Sequence, residues 1–175
     1  MKIPKFANFL LFLLITGLWL PPSTYAQIEN QTFKVIAITD GDSLVVVNNN
    51  QKIKVRMIGI DAPESFANEK AYRDSKRSGV DTNRIVNLGK KSAQYLRQTL
   101  PLGSEVKLIS DVAKIDKYGR TLAYVYTKNA VFLNLKMIED GYAYPYSIPP
   151  NLRYEKDFRK AAQKARADKT GLWKE

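Results

Sequence analysis

Between Gln31 and Ile60 the chain holds three segments rich in β-branched residues, separated only by short turn signals. Gln31 to Ile38 and Ser43 to Val47 flank Thr39-Asp40-Gly41-Asp42, and Asn48-Asn49-Asn50 leads into Gln51 to Ile60. Asp-Gly favours tight hairpin turns and Asn tolerates positive φ, so the three segments are expected to pair as a meander. In the third, Ile53, Val55 and Met57 alternate with Lys52, Lys54 and Arg56, which gives the strand one apolar face.

The elements that follow decide what the meander closes into. Ser65 to about Arg84 is polar and charged and reads as a surface loop with room for a short helix. Asn87 to Thr99 carries an apolar stripe through Leu88, Ala93 and Leu96 and predicts a helix stopped by Pro101. Strands are expected at Glu105 to Ser110 and Thr121 to Thr127, joined by a charged connection. Phe132 to Asp140 reads as a short helix closed by Gly141, and Tyr142 to Pro150 as extended. Asn151 is expected to cap a last helix reaching about Lys169, with Leu172 and Trp173 folding back beyond Gly171. Three strands, a helix, two strands and further helices is the order of an α+β fold of the OB type. In that fold a five-stranded Greek-key barrel packs against about three α-helices.

The start of the chain reads differently. Lys2 and Lys5 precede an apolar run from Phe9 to Leu20, and Pro21-Pro22 and Thr24-Tyr25-Ala26 follow. That is the layout of a secretory signal peptide over residues 1–26, cleaved after Ala26, the alternative being an uncleaved anchor. Residues 27–175 then form a single exported domain, located in the periplasm, at the cell surface or in the medium. The formal charge of +11 falls only to about +9 on loss of the leader, so the domain is attracted to polyanions.

Two absences restrict its chemistry. The chain has no cysteine and no histidine. Disulfides, thiolate nucleophiles and imidazole acid–base catalysis are therefore excluded. A hydrolase built from this sequence works with carboxylates, Lys, Arg, Tyr, Ser or Thr, and a bound metal is expected to be an oxygen-liganded ion such as Ca²⁺, Mg²⁺ or Mn²⁺.

Three clusters carry candidate chemistry. Asp40-Gly41-Asp42 is either a plain turn or a ligand turn. Arg56 with Asp61 and Glu64 is either a salt-bridged strand end or a phosphate site with a hard metal ion. Strict alternation puts Arg56 and Asp61 on opposite faces, and a bend at Gly59 can reunite them. The third cluster, Asp116-Lys117-Tyr118-Gly119-Arg120, is also readable as a charged hairpin.

Taken in this order, the clusters resemble those of the staphylococcal nuclease (thermonuclease) family, with the likeness running from about Phe33 to Trp173. Asn134, Gly141, Tyr144-Pro145-Tyr146 and Gly171-Leu172-Trp173 also match. The resemblance implies an OB-fold nuclease that hydrolyses DNA and RNA with Ca²⁺, leaving 3′-phosphate ends. It assigns the metal to Asp42, Asp61 and the carbonyl of Ala62. Arg56 and Arg120 become phosphate-gripping residues, and Glu64 the general base. Lys117, Tyr118, Tyr144 and Tyr146 fall on nucleotide-contacting positions. Ser43 stands where a threonine is usual, and Ala62 where the best-known member has threonine. The segment between Glu64 and the first helix matches poorly.

Chemistry supports these roles. Planar guanidinium groups suit a phosphate that gains charge on its equatorial oxygens. With imidazole absent, a carboxylate is the natural acceptor of a water proton. Two tyrosines at i and i+2 of an extended segment suit base stacking. Two other readings compete: an OB module that binds single strands without turnover, and a basic domain that docks on anionic surfaces. Nothing in the sequence calls for an oligomer, and a monomer is expected.

Overall fold

The computed structural model describes residues 31–174; the expected leader over residues 1–26 lies outside the described residues. Five strands close into a barrel in the order β1, β2, β3, β6, β5, where β1 is Thr32–Asp40, β2 Ser43–Asn48, β3 Gln51–Met57, β5 Glu105–Ile109 and β6 Thr121–Thr127. β1 closes the ring by pairing antiparallel with β5, and β3 pairs parallel with β6 through Val55–Thr121, Arg56–Leu122 and Met57–Ala123. The expected OB-type barrel is therefore present.

The turns explain the meander. Asn49 and Asn50 both adopt positive φ (46° and 61°), and Asn48 pairs with Gln51 across them. A turn with two left-handed central residues matches the twist of a hairpin, and Asn adopts that backbone more readily than most residues. Asp40 pairs with Ser43 around Gly41-Asp42. Gly41 is required here by close packing: a Cβ would lie 1.8 Å from the Ser92 Oγ.

Alternation fills the barrel. Phe33, Val35, Leu44, Val46, Val55 and Met57 point inward and are buried, joined by Val106, Leu108, Ala123 and Val125 from the other two strands. Each such side chain contributes about 1.5–3 kcal/mol when removed from water. The helices add to the same core. Helix α2 (Thr82–Thr99) brings Leu96 to the core, α3 (Leu133–Glu139) brings Leu133, Met137 and Ile138, and α4 (Glu155–Ala167) brings Phe158.

The structure refines the sequence expectation in four segments. The third strand does not run unbroken to Ile60: it ends at Met57, turns at Ile58-Gly59, and resumes as a short strand β4, Gly59–Asp61. The extended tyrosine segment is strand β7, Tyr144–Tyr146, paired antiparallel with β4 outside the barrel.

The stretch read as a surface loop holds a helix, α1 (Glu69–Ser78), and α2 begins at Thr82 rather than Asn87. Helix α1 buries only Ala71, so it has no apolar stripe to read. It is stabilised at its ends instead. The Asn68 side chain accepts from Ala71 N, and Gly79 closes the C-terminus in the left-handed region.

Asn151 does not cap the last helix. Its amide pairs with both backbone groups of Ala113, at 2.7 and 3.0 Å, and α4 starts at Glu155. The side chain is engaged by a distant loop instead of the helix. Among the described residues, no helix is long and apolar enough to cross a membrane.

Candidate active site

The bend between β3 and β4 builds the centre of the site. Gly59 takes φ 79°, and a Cβ there would come within 2.2 Å of the Phe158 ring, so both the backbone and the packing demand glycine. The reversal brings Arg56 back over the residues that follow it. Its Nη1 donates to the carbonyls of Met57 and Ile60, and its Nη2 donates to Asp61 Oδ1 at 2.9 Å. The bend anticipated at Gly59 thus does unite Arg56 with Asp61.

Buried Asn134 holds this bend to the barrel. Its side chain accepts from Val125 N at 2.8 Å and donates to the Ile58 carbonyl at 2.8 Å.

The turn between β1 and β2 supplies the second wall. Asp42 is buried; its Oδ1 accepts from Ser43 Oγ and its Oδ2 from Ala62 N at 2.8 Å, with Arg56 Nη2 at 3.3 Å. Asp40 has a different task. It accepts from the backbone N and the hydroxyl of Ser65 and so anchors the segment just after Glu64.

Helix α2 meets that segment closely. A Cβ on Gly89 would lie 2.1 Å from the Glu64 carbonyl oxygen.

Helix α1 completes the cluster, and neither of its contributions was singled out from the sequence. Asn68 donates to Glu64 Oε2 at 2.7 Å while capping the helix. Lys70 places its ammonium 3.0 Å from Glu64 Oε1, 3.3 Å from Asp61 Oδ1 and 3.2 Å from the Ala62 carbonyl. The signal available was Asn68-Glu69, a cap residue followed by an acid in a first turn.

Burial raises the Asp61 pKa, and Asp42 adds to the rise while Lys70 and Arg56 oppose it. Burial also acts to lower the Lys70 pKa, yet Asp61 and Glu64 outweigh it and hold the ammonium above its ordinary range.

The hairpin before β6 forms the opposite rim. Asp116 accepts from the backbone N of Tyr118 and Arg120 and from Arg120 Nε at 2.7 Å, which fixes the arginine in place. Burial pushes the Asp116 carboxyl upward, but these hydrogen bonds outweigh it and hold it below its ordinary value. Exposed Tyr118 has two cations over its ring, Lys117 Nζ at 5.0 Å and the Arg120 guanidinium at 5.5 Å from the centroid.

One cavity of about 540 Å³ gathers most of the expected residues: Asp42, Arg56, Asp61 and Glu64 on one side, and Lys117, Tyr118 and Arg120 on the other, with Tyr146 at the edge. Ala62 lies behind the wall, buried, and offers only backbone. Tyr144 belongs to an adjoining cavity of about 590 Å³, shared with Asp61, Lys70 and Tyr146. Its ring meets Trp173 edge-on, so the tyrosines differ in setting although both line that cavity.

Fold and site together define a barrel of the OB type with arginines and carboxylates converging in one cleft. A family model described as "Staphylococcal nuclease homologue" matches residues 54–175. The thermonuclease of Staphylococcus hyicus is 32% identical over 146 residues, covering 83% of this chain and 77% of that protein. The thermonuclease of Staphylococcus intermedius is 29% identical over 148 residues, covering 84% and 79%. Endonuclease YhcR of Bacillus subtilis is 30% identical over 158 residues, which span 89% of this chain but 12% of that protein. The chain belongs to the staphylococcal nuclease family, and its class is that of a nuclease, a hydrolase of phosphodiester bonds.

Proposed function

We propose that the protein is an exported, Ca²⁺-dependent nuclease that cleaves DNA and RNA, single strands in preference, to 3′-phosphate ends, acting as a monomer. The observation that carries this reading is the convergence of Arg56, Glu64 and Arg120 on one cleft beside Asp42 and Asp61.

The donor set suits a hard divalent ion. Asp42, Asp61 and the Ala62 carbonyl offer oxygen only. Three oxygens of this wall already surround a cation, the Lys70 ammonium, so the spot accepts positive charge. Among the described residues no group of three acids forms a ready metal cluster, and the carbonyl, water and substrate phosphate would complete the shell. Bound there, Ca²⁺ supplies Lewis-acid stabilisation of charge on the phosphate oxygens.

The chain's own groups account for the rest. Glu64, held by Asn68, takes a proton from the attacking water. The water oxygen bonds to phosphorus, the bond to the 5′ oxygen breaks, and that oxygen leaves as a hydroxyl by taking a proton from solvent, while Glu64 returns its own proton to solvent. Arg56 and Arg120 hydrogen-bond the non-bridging oxygens as charge builds on them. Exposed Tyr146 and Tyr118 offer ring faces to bases without reading sequence. The leader-like residues 1–26 support export.

The test incubates the protein with single-stranded DNA and RNA, in millimolar Ca²⁺ or in chelator, and analyses the product ends. Calcium-dependent cleavage to 3′-phosphates is expected. Tight binding without turnover in either arm overturns the reading in favour of a single-strand-binding module.

A further inference from the structure

We propose that Lys70 is a tethered cation that occupies the metal-facing oxygens, so that a divalent ion enters only by displacing it. This rests on the calcium reading above and concerns a residue to which that reading gives no metal role. The observation is the ammonium's position: Nζ lies within 3.3 Å of Glu64 Oε1, the Ala62 carbonyl and Asp61 Oδ1. An ammonium carries three N–H donors and no acceptor, so three converging oxygens use its full capacity. Two of those oxygens belong to groups in the proposed metal shell, and the third belongs to the proposed base.

The position is built, not incidental. Lys70 is the second residue of α1, whose start is fixed by the Asn68 cap, and Asn68 also grips Glu64. The helix therefore delivers the lysine and orients the glutamate as one unit. A third acid, Asp74, stands 3.7 Å from Nζ on the next turn of the helix.

Charge explains why such a residue is useful. Asp42, Asp61 and Glu64 are three carboxylates in one wall, and Arg56 ion-pairs only with the first two among the described residues. Lys70 supplies the missing positive charge and keeps the wall assembled without metal. The same charge then opposes a divalent ion. A lysine ammonium left within about 4 Å of Ca²⁺ is repelled strongly in a partly buried site. Metal binding thus requires the side chain to swing out, and the apparent affinity falls by the fraction of time it is out. A lysine withdrawn one-tenth of the time weakens calcium about tenfold.

The test is calcium titration calorimetry on the wild-type chain and on the Lys70→Met and Lys70→Gln variants, which lose the charge and keep much of the side chain's bulk. A fall in the calcium Kd of about tenfold in both variants is expected. Melting temperatures supply a second readout. Both variants should melt below wild type in chelator, and the gap should close or reverse in millimolar Ca²⁺. A Kd that is unchanged or weaker in the variants, with calcium binding measurable in wild type, overturns the proposal. So does an equal loss of melting temperature with and without calcium, which is what a merely structural lysine would give. Calcium binding seen only in the variants supports it. Absence of binding in all three chains overturns the calcium reading itself, and the proposal with it.

Discussion

Gly89→Ala separates the stability of helix α2 from the geometry of the site. In an exposed helix the change favours folding by about 1 kcal/mol, because alanine is the better helix former. Here the added Cβ would sit 2.1 Å from the Glu64 carbonyl oxygen and 2.7 Å from that of Pro63. Ordinary contacts begin near 3.4 Å, so the helix or the Glu64 segment must move by about an ångström. Overpacking of this kind costs about 1–3 kcal/mol, which leaves a net loss of about 0–2 kcal/mol after the propensity gain. The effect on rate is expected to be larger, since an ångström of misplacement at a reacting group costs on the order of 100-fold. Urea denaturation and kcat/KM on single-stranded DNA, with exposed Lys90→Ala as a helix control, measure the two effects together. A Gly89→Ala enzyme within threefold of wild-type rate would refute the claim that α2 sets the position of Glu64.

Arg56→Lys and Arg120→Lys are each expected to lower kcat by at least ~100-fold with an unchanged circular dichroism spectrum, since an ammonium cannot reproduce a bidentate guanidinium grip. Near-native rates in both would remove the phosphate-clamp assignment. Asn134→Ala strands the buried Val125 N–H and Ile58 carbonyl and should cost about 3 kcal/mol in chemical denaturation; a loss below about 1 kcal/mol would contradict its bracing role. Asp116 has a depressed pKa in the folded protein, so its contribution is present above its unfolded value near ~4 and lost as pH falls through the lower folded value. Asp116→Asn should therefore flatten the acid limb of the stability–pH curve below about pH 4, and an unchanged limb counts against the Asp116–Arg120 contact.

What could be read in advance follows a physical divide. The barrel strands declare themselves because their burial is periodic and their turns need residues that tolerate positive φ, as Asn49 and Asn50 do. The union of Arg56 with Asp61 was legible for a similar reason, since only glycine makes the reversal at residue 59 easy. Helix α1 was legible only as a short helix allowed for within a loop, because it is held by a cap, ion pairs and one buried alanine rather than by an apolar face. Strand β7 is three residues long with Pro145 at its centre, a pattern that argues against a strand until β4 is known to lie beside it. Lys70 was hidden for the same reason as its helix. A lysine in a charged run is ordinarily solvated, and only the fold shows three oxygens around it.

The ring of Phe158 against Gly59 has a consequence in time as well as in space. A chain synthesised only as far as Asn151 already contains every acid and arginine of the cleft. It still lacks the helix that backs the bend on which Arg56 and Asp61 meet. Contacts that span so much sequence form late, and during synthesis they cannot form before the later partner has left the ribosome. The bend on which Arg56 and Asp61 meet thereby gains its backing ring only after the rest of the cleft has been made.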